Sequence, residues 1–402
     1  MRALSSIEQT AVERCADAPM LDQVTAWAAV NSGSRNLAGL ETVAGLLADA
    51  FSDLPAEPEL RSAAPVEAVA ADGSLTSIAH GRNLRLRVRP EAPVQLLFTG
   101  HMDTVFGADH AFQKVFWREE GVLGGPGVAD MKSGIAVMLA ALKAVESGGV
   151  PALGYEVVIN SDEEVGSPGS APLIAEAARG KKAALTYEPS ALPDGTLAGA
   201  RPGSGNFSIV VEGRSAHAGR NPEDGRNAVV AAADLALRLA ALKRPGLSVN
   251  PARIDGGGPN NVVPDQAVLR VNLRPQTGED QARAEAALDE AIAAVAATHD
   301  VAIHLHGGFG RPPKPIDPAA RKLFELVRRS GADLGLQIGW RDTGGVCDGN
   351  NIAACGVPVV DTMGARGGAI HSDQEYLIVE SLVERAQLSA LTILRLAQGG
   401  GL

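Results

Sequence analysis

The 402-residue chain is short of cysteine, of basic residues and of long apolar runs, and each shortage argues against a class of protein. Its three cysteines, Cys15, Cys347 and Cys355, lack zinc-ribbon spacing, so we expect no disulfide framework and a reducing, cytoplasmic location. There are 36 Lys and Arg against 47 Asp and Glu, and the net charge of −11 argues against nucleic acid and anionic membrane surfaces as partners. The longest apolar run, near residues 135–145, is interrupted by Lys143 and is too short to cross a bilayer.

The remaining composition is that of a globular protein, with 45% hydrophobic and 21% charged residues in a length that suits two to three domains. Over the first 200 residues, short apolar runs alternate with helical patterns. The predicted strands are 94–99, 155–160 and 183–187, and the predicted helices are 133–146 and 171–178. This alternation predicts an α/β fold with a mostly parallel sheet that is flanked by helices on both faces.

A different pattern begins near Arg201. The predicted elements follow the order β-α-β-β-α-β of a ferredoxin-like unit: 207–212, 227–242, 247–254, 262–273, 279–298 and 301–306. A helix at 321–329, a strand at 357–361 and a final helix at 376–398 would complete the first sheet. We therefore predict a catalytic metal-binding domain made of residues 1–200 and 312–402, with an inserted domain at 201–311 that ends at a proline cluster.

Five short segments hold side chains of the kinds that bind metals. They are FTGHMD at 98–103, GPGVADMKSG at 125–134, NSDEEVG at 160–166, YEP at 187–189 and AIHSD at 369–373. Several of their acidic and histidine residues directly follow a predicted strand. Because ligands bind at the carboxyl ends of the strands in an open parallel sheet, we expect these residues to meet at one edge.

The residue types suit a pair of metal ions. Two imidazoles, His101 and His371, and three carboxylates offer the nitrogen and oxygen ligands that zinc favours and that cobalt or manganese accept less sharply. Five residues suffice for two ions if one carboxylate bridges them. Asp103 can orient His101, while one member of the Glu163–Glu164 pair can bind metal and the other act as general base. Such a site hydrolyses an amide or an ester.

With these five segments in this order, the sequence resembles the di-zinc peptidase and amidohydrolase family that includes glutamate carboxypeptidase, acetylornithine deacetylase, succinyl-diaminopimelate desuccinylase and aminoacylase. The resemblance extends over essentially the whole chain and is closest to the glutamate carboxypeptidase branch. It implies the zinc-peptidase α/β fold with an inserted ferredoxin-like dimerisation (lid) domain. It also implies two Zn²⁺ per chain, with Co²⁺ or Mn²⁺ as substitutes, and a homodimer.

The resemblance assigns the metal ligands in two groups with one shared residue: His101, Asp130 and Glu188 for one ion, and Asp130, Glu164 and His371 for the other. Glu163 would be the general base and then the acid that protonates the leaving amine, and Asp103 would orient His101. The family implies a cis peptide bond between Asp130 and Met131, although Met131 stands where the family often has a second Asp. From the residues alone, Asp130 could instead simply cap the helix that begins near Ser133.

Four further residues follow from the resemblance. His217, in the inserted domain, would reach across a dimer interface and stabilise the oxyanion in the partner's site. Asn261, Arg274 and Arg311 would bind substrate, since an arginine can pair with a carboxylate through two parallel hydrogen bonds. Simpler explanations remain open for each of them: a surface histidine for His217, a turn residue for Asn261, a strand-end residue for Arg274 and a salt bridge for Arg311.

The expected function is hydrolysis of the amide bond of a small peptide or an N-acyl amino acid, next to a free carboxylate. A deacylase of the acetylornithine or succinyl-diaminopimelate type is the alternative. A catalytically dead dimeric binding scaffold is a remote one, because such a protein should have lost a ligand or the base. Here every ligand position and Glu163 are filled.

Overall fold

The computed structural model describes residues 2–399. Its helices are α1 (Ser6–Ala16), α2 (Met20–Ala28), α3 (Leu37–Phe51), α4 (Ser133–Glu146), α5 (Ala171–Ala178), α6 (Ala228–Ala241), α7 (Gly278–His299), α8 (Pro318–Asp333), α9 (Asp348–Ala354) and α10 (Ser381–Ala397). The strands of the first half are β1 (Glu59–Arg61), β2 (Val66–Val69), β3 (Leu75–Ile78), β4 (Asn83–Val88), β5 (Val94–His101), β6 (Phe116–Glu119), β7 (Val122–Gly124), β8 (Leu153–Asn160) and β9 (Ala183–Thr186). Those of the second half are β10 (Leu197–Ala198), β11 (Ser204–Glu212), β12 (Leu247–Gly256), β13 (Gln266–Pro275), β14 (Ala302–Arg311), β15 (Trp340–Arg341), β16 (Val359–Val360), β17 (Gly367–Gly368) and β18 (Tyr376–Ile378).

The central sheet has the strand order β1-β4-β8-β5-β9-β16. Its four strands from β8 to β16 run parallel. At one edge, β4 pairs antiparallel with β8, and β1 pairs antiparallel with β4. This arrangement confirms the predicted mostly parallel sheet. His101 pairs with Asn160 at the carboxyl ends of β5 and β8, so the first and third metal-type segments leave the sheet side by side.

Helices cover both faces of this sheet because alternate strand residues point to opposite sides. Leu96 and Phe98 of β5 join the large core beneath α4, whereas Leu97 joins a smaller core with α5 and α9. Helix α4 is buried along almost its whole length and packs against α1 and α10. An apolar layer on each side explains why β8 is buried throughout.

The second large sheet is antiparallel, with the order β12-β13-β11-β14. Helices α6 and α7 pack on one face around Ile209, Leu235 and Leu288. The chain order β11-α6-β12-β13-α7-β14 confirms the ferredoxin-like sequence of elements. On the opposite face, Val69 of the β2–β3 hairpin packs against Val210 and Val268 of this sheet. The boundaries 201–311 for an inserted domain stay a prediction.

Among the predicted starts, those of two elements differ most from the structure. Tyr376–Ile378 is strand β18 rather than the beginning of the last helix, because it pairs antiparallel with β7. Strand β13 begins at Gln266 rather than at residue 262, since Pro264 has no N–H to contribute to a ladder. Within residues 2–399, no helix combines the length and the apolar character that crossing a membrane requires.

Gly134, the last residue of the second metal-type segment, allows α4 to approach the strand that precedes Glu188. A Cβ atom at this position would lie 1.9 Å from the carbonyl oxygen of Tyr187. We expect Gly134→Ala to lower the free energy of unfolding by at least about 1–3 kcal/mol, because backbone would have to move. Urea denaturation measures this change.

The control is Gly45 in the interior of α3, where an added Cβ meets nothing within 4 Å. Gly45→Ala should raise the free energy of unfolding by about 0.5–1 kcal/mol through better helix propensity. Equal effects of the two substitutions would contradict the close-approach explanation.

Candidate metal centre

The five metal-type segments converge at the carboxyl edge of the central sheet. His101 ends β5, Glu163 and Glu164 lie in a single helical turn after β8, and Glu188 follows β9. Asp130 comes from the tight turn before α4, where the Asp130–Met131 peptide bond is cis as predicted. His371 comes from the loop between β17 and β18. The structure therefore brings all five predicted metal ligands and the predicted base together.

Asp130 lies at the centre of this cluster. Its Oδ1 is 3.1 Å from His101 Nε2, which is also 3.6 Å from Glu188 Oε2. Its Oδ2 is 3.3 Å from His371 Nε2, which is also 3.1 Å from Glu164 Oε2. The two oxygens of one carboxylate thus face two separate histidine–glutamate pairs, which is the arrangement expected of a bridging ligand.

The donor set fits zinc. Ligand atoms about 2.0–2.1 Å from a tetrahedral ion lie about 3.3 Å from one another, and the four separations around Asp130 run from 3.1 to 3.6 Å. Ligand atoms of His101, Glu163 and Glu188 also lie within 4.8 Å of one another, so the predicted base stands beside the ligands. Imidazole nitrogen with carboxylate oxygen suits zinc better than a purely oxygen-bound cation such as calcium or magnesium.

Burial of several carboxylates close together changes their acidity. Loss of hydration raises the pKa of Glu163 and of Glu188 to about 8, and that of Glu164 to about 7. Neighbouring carboxylates add to each of these increases. Each of these carboxylates is therefore more stable with a bound proton or a neighbouring cation than as an unpartnered charge.

The two imidazoles behave in the opposite way. Hydrogen bonds to Asp130 and Glu164 raise the pKa of His371 to about 11. Although burial disfavours a charged His101, Glu188 and the neighbouring aspartates raise its pKa well above the ordinary value. Metal ions would replace these protons, since ligands bind in their deprotonated forms and metal binding releases protons.

Asp103 contacts both His101 and the turn that carries Glu163 and Glu164. Its carboxylate is 3.3 Å from Nδ1 of His101 and accepts hydrogen bonds from the backbone N–H groups of Glu163 and Glu164, at 3.1 and 3.2 Å. Ser34 Oγ donates a further bond of 2.7 Å. Asp103 is fully buried, and its backbone carbonyl, 3.0 Å from His101 Nδ1, orients the imidazole. Its carboxylate fixes the turn that carries Glu163 and Glu164.

Glu375 is a site residue that sequence reasoning missed. Its carboxylate is 1% exposed and accepts hydrogen bonds from the backbone N–H groups of Gly127, Ala129 and Asp130, at 2.9–3.1 Å. It therefore shapes the turn that presents Asp130. The sequence feature that could have identified Glu375 is its position four residues after His371, in a segment where only the histidine was predicted to bind metal.

Arg311 is buried and makes the salt bridges that the sequence left open as an alternative. Its Nη2 donates to Glu163 Oε1 at 2.7 Å, and its Nη1 donates to Asp348 Oδ1 at 2.9 Å. Asp348, also missed from sequence, accepts bonds from Asn160 and Ser167, which lie at the two ends of the Glu163 turn. The predicted substrate contact of Arg311 stays a prediction.

Of the other predicted site residues, Arg274 lies beside the metal ligands, whereas His217 and Asn261 do not. Arg274 lines a cavity of about 670 Å³ together with Glu163 and His371, and it donates to Asn272 Oδ1 and the Gly344 carbonyl. His217 and Asn261 are exposed and adjacent to each other through the Ala218 N–H, which donates to the Asn261 carbonyl. Within residues 2–399, neither His217 nor Asn261 lines the cavities beside the metal ligands.

The contacts of Glu375 lead to a prediction about metal affinity. In Glu375→Gln the amide nitrogen cannot accept a hydrogen bond, so one of the three N–H groups of the turn loses its partner. We expect zinc affinity to fall about 10- to 100-fold, measured by titration against a competing chelator. Glu380→Gln makes the same change at an exposed glutamate and should leave the affinity as it was. Equal affinities for all three proteins would show that the Glu375 contacts do not shape the centre.

Comparisons with known proteins agree with this geometry. Residues 97–395 match the sequence pattern described as "Peptidase family M20/M25/M40". The chain is 32% identical over 327 residues to carboxypeptidase G2 of Pseudomonas sp. (strain RS-16). The aligned region covers 79% of this chain and 78% of that protein. The chain is 30% identical over 324 residues to succinyl-diaminopimelate desuccinylase of Thioalkalivibrio sulfidiphilus (strain HL-EbGR7), covering 75% and 83%.

A solved structure supports the fold. The M20 family metallo-carboxypeptidase Sso-CP2 from Sulfolobus solfataricus superimposes with a TM-score of 0.70, over 94% of this chain and 99% of that one. The sequence identity is 14%, so this likeness concerns the fold alone.

Proposed function

Because the chain belongs to peptidase family M20/M25/M40, whose members are metal-dependent hydrolases of amide bonds, we propose that it is a co-catalytic di-zinc enzyme that cleaves a peptide or N-acyl amino acid next to a free carboxylate. The observation that carries the proposal is Asp130, whose two carboxylate oxygens face two separate histidine–glutamate pairs. The similarity to carboxypeptidase G2 supports the same reading.

The five ligand residues would hold two zinc ions, with Asp130 shared between them. When bound, such a pair polarises a carbonyl oxygen and makes water a stronger nucleophile. Glu163 would take a proton from the attacking water at its free carboxylate oxygen and pass it to the leaving amine. Arg311 bonds to Oε1 of Glu163 and also to its backbone carbonyl, which restricts the carboxylate to one orientation.

Arg274 is the favoured receptor for the substrate carboxylate. It lines the larger cavity beside Glu163 and His371, and its bonds go to neutral acceptors, so its charge is available to a ligand. Arg311 already has two acidic partners. We assign Asn261 and Arg311 secondary roles in substrate binding.

A deacylase of the acetylornithine or succinyl-diaminopimelate type is the second candidate. It is supported by the similarity to succinyl-diaminopimelate desuccinylase over most of the chain. A dead binding scaffold has less support, since Glu163 and all five ligand positions are filled.

We also propose that residues 201–311 form a dimerisation and lid domain. His217 and Asn261 are exposed and lie away from the cavities of their own chain. A second copy of the chain could supply both residues to this centre, with His217 stabilising the oxyanion.

Elemental analysis of purified protein tests the shared carboxylate. We expect about two zinc ions per wild-type chain, loss of both in Asp130→Ala and loss of one in His371→Ala, because only Asp130 belongs to both ligand groups. Activity on a panel of N-acyl amino acids should fall about a thousandfold in Asp130→Ala, and also on chelation, with recovery in added zinc or cobalt.

His304→Ala is the control, since this exposed histidine on β14 pairs only with Glu212 among the contacts in the described range. It should retain both ions and full activity. If the wild-type protein holds no metal and added zinc or cobalt restores no activity, the hypothesis of a catalytically dead binding scaffold is favoured instead.

The shared-site hypothesis predicts complementation between two inactive variants. Glu163→Gln and His217→Ala homodimers should each be nearly inactive, but a mixed dimer would contain one site with both wild-type residues. After exchange of subunits at equal amounts, we expect about a quarter of wild-type activity, because half of the dimers are mixed and each has one intact site. If a mixture that is shown to contain mixed dimers recovers no hydrolytic activity, His217 lies outside the active site.

A further inference from the structure

The β2–β3 hairpin is anchored at both ends to the segment that carries the Glu163–Glu164 pair. Before the hairpin, the Ala64 N–H donates to the Gly169 carbonyl at 2.8 Å. After it, the Gly81 carbonyl accepts a bond of 2.8 Å from Ser161 Oγ. Because Ser161 and Gly169 lie on either side of the glutamate pair in the chain, the base of the hairpin is fixed beside the metal centre.

The far end of the hairpin packs on the second large sheet. Val69 is buried against Val268 of β13. Its carbonyl accepts a bond of 2.9 Å from Arg270 Nη2, and the Asp72 carbonyl accepts one from Gln266 Nε2. Strands β2 and β3 form a sheet of their own, and a lone two-stranded hairpin is only marginally stable in water. We therefore expect these contacts to stabilise the hairpin.

Strand β13 presents one face both to the hairpin and to the larger cavity beside the metal ligands. Alternate residues of a strand share a face, and the other face of β13 belongs to the core beneath α6 and α7. The shared face carries three residues that contact the hairpin and then two that line the cavity of about 670 Å³: Gln266, Val268, Arg270, Asn272 and Arg274. One strand thus links the hairpin to the proposed receptor for the substrate carboxylate.

The hairpin gives this sheet a second attachment to the part of the molecule that holds the metal ligands. The first lies where the chain enters and leaves the sheet, at the backbone bridge between Arg201 and Lys314. Strand β11 begins nearby at Ser204, and Val210, which packs on the hairpin, lies about 20 Å further along that strand. A sheet that is held at one end can rotate about that end, whereas two separated attachments fix its angle.

We propose that the hairpin Val66–Ile78 is a strap that sets the distance between the metal centre and Arg274. The enzyme would then select substrates by the number of atoms between the scissile amide and the carboxylate. This inference rests on the proposed function and adds substrate length to it. The strap residues act through Arg274 and are therefore positioning residues. Because a misplacement of about 1 Å can cost about 10²-fold in rate, a fixed distance favours one substrate length.

Three substrates of different length test this selection. They are the N-acyl derivatives of glycine, β-alanine and γ-aminobutyrate, all with the acyl group that the wild-type enzyme cleaves best. Each added methylene group moves the carboxylate further from the amide. For the zinc-loaded wild-type enzyme, we expect kcat/KM for one length to exceed the other two at least about tenfold.

Two variants release the strap. Val69→Ser removes the apolar contact with β13. The second variant replaces residues 68–76 by Gly-Gly, a dipeptide that forms tight hairpin turns, between the paired residues Glu67 and Ser77. It removes the far end of the hairpin but keeps both anchored ends. In both variants we expect the preference for one length to fall below about threefold, because Arg274 is no longer held at one distance.

Leu75→Ser is the matched control. It makes the same kind of change in the same hairpin, directly opposite Val69, but Leu75 is 51% exposed. It should keep the wild-type preference, and so should Val69→Ile, which retains an apolar side chain at the junction. Ratios between substrates separate positioning from folding, since a folding defect lowers all three rates equally.

The inference is overturned if the wild-type enzyme cleaves all three lengths with similar kcat/KM. It is also overturned if the shortened hairpin keeps the wild-type preference, whatever its absolute rates. Should the shortened protein not fold, the preference of Val69→Ser decides in the same way. In these cases metal-dependent cleavage of the substrates would leave the proposed function intact. Cleavage of none of the three by zinc-loaded wild-type protein would reject both.

Discussion

The concentration of negative charge around Asp130 is the constraint on which the rest of the site depends. Asp130, Glu163, Glu164 and Glu188 lie close together at the end of a buried sheet, where hydration is poor. Carboxylates in such a place either bind protons or attract cations, and the raised pKa values of the three glutamates express this. The proposed pair of divalent ions would satisfy the cluster, with the two histidines as additional ligands.

Keeping such a cluster in place requires rigid support, and backbone N–H groups provide much of it. Asp103 binds the N–H groups of the turn after β8, and Glu375 binds those of the turn before α4. Each supporting carboxylate is buried and accepts hydrogen bonds from three uncharged donors. Gly134 contributes in another way, because the absence of a side chain brings α4 against the strand that leads to Glu188. The ligands are therefore presented by elements whose separations are set by packing.

Local pattern was sufficient for much of the fold, whereas the ligand set was assigned from the resemblance of five segments, in order, to a known family. Helices 133–146 and 171–178 were predicted with their observed bounds, because apolar periodicity and flanking polar residues lie within each segment. The five metal-type segments were found because each holds acidic or histidine residues beside a predicted strand end or in a loop. Tyr376–Ile378 was predicted as helix, since its strand partner β7 lies about 250 residues earlier and leaves no local trace. Glu375 and Asp348 were missed for the same reason, because their roles are defined by distant partners.

The arginines show how partners, rather than residue type, decide what a side chain can do. From sequence, Arg274 and Arg311 were equivalent candidates for binding a substrate carboxylate. In the fold, Arg311 is neutralised by Glu163 and Asp348, whereas the bonds of Arg274 go to uncharged oxygens. An incoming carboxylate would have to compete with two buried acids for Arg311, but it would meet an available charge at Arg274. The proposed recognition of the substrate carboxylate therefore rests on Arg274, and Arg311 holds Glu163 through a hydrogen bond to its carboxylate.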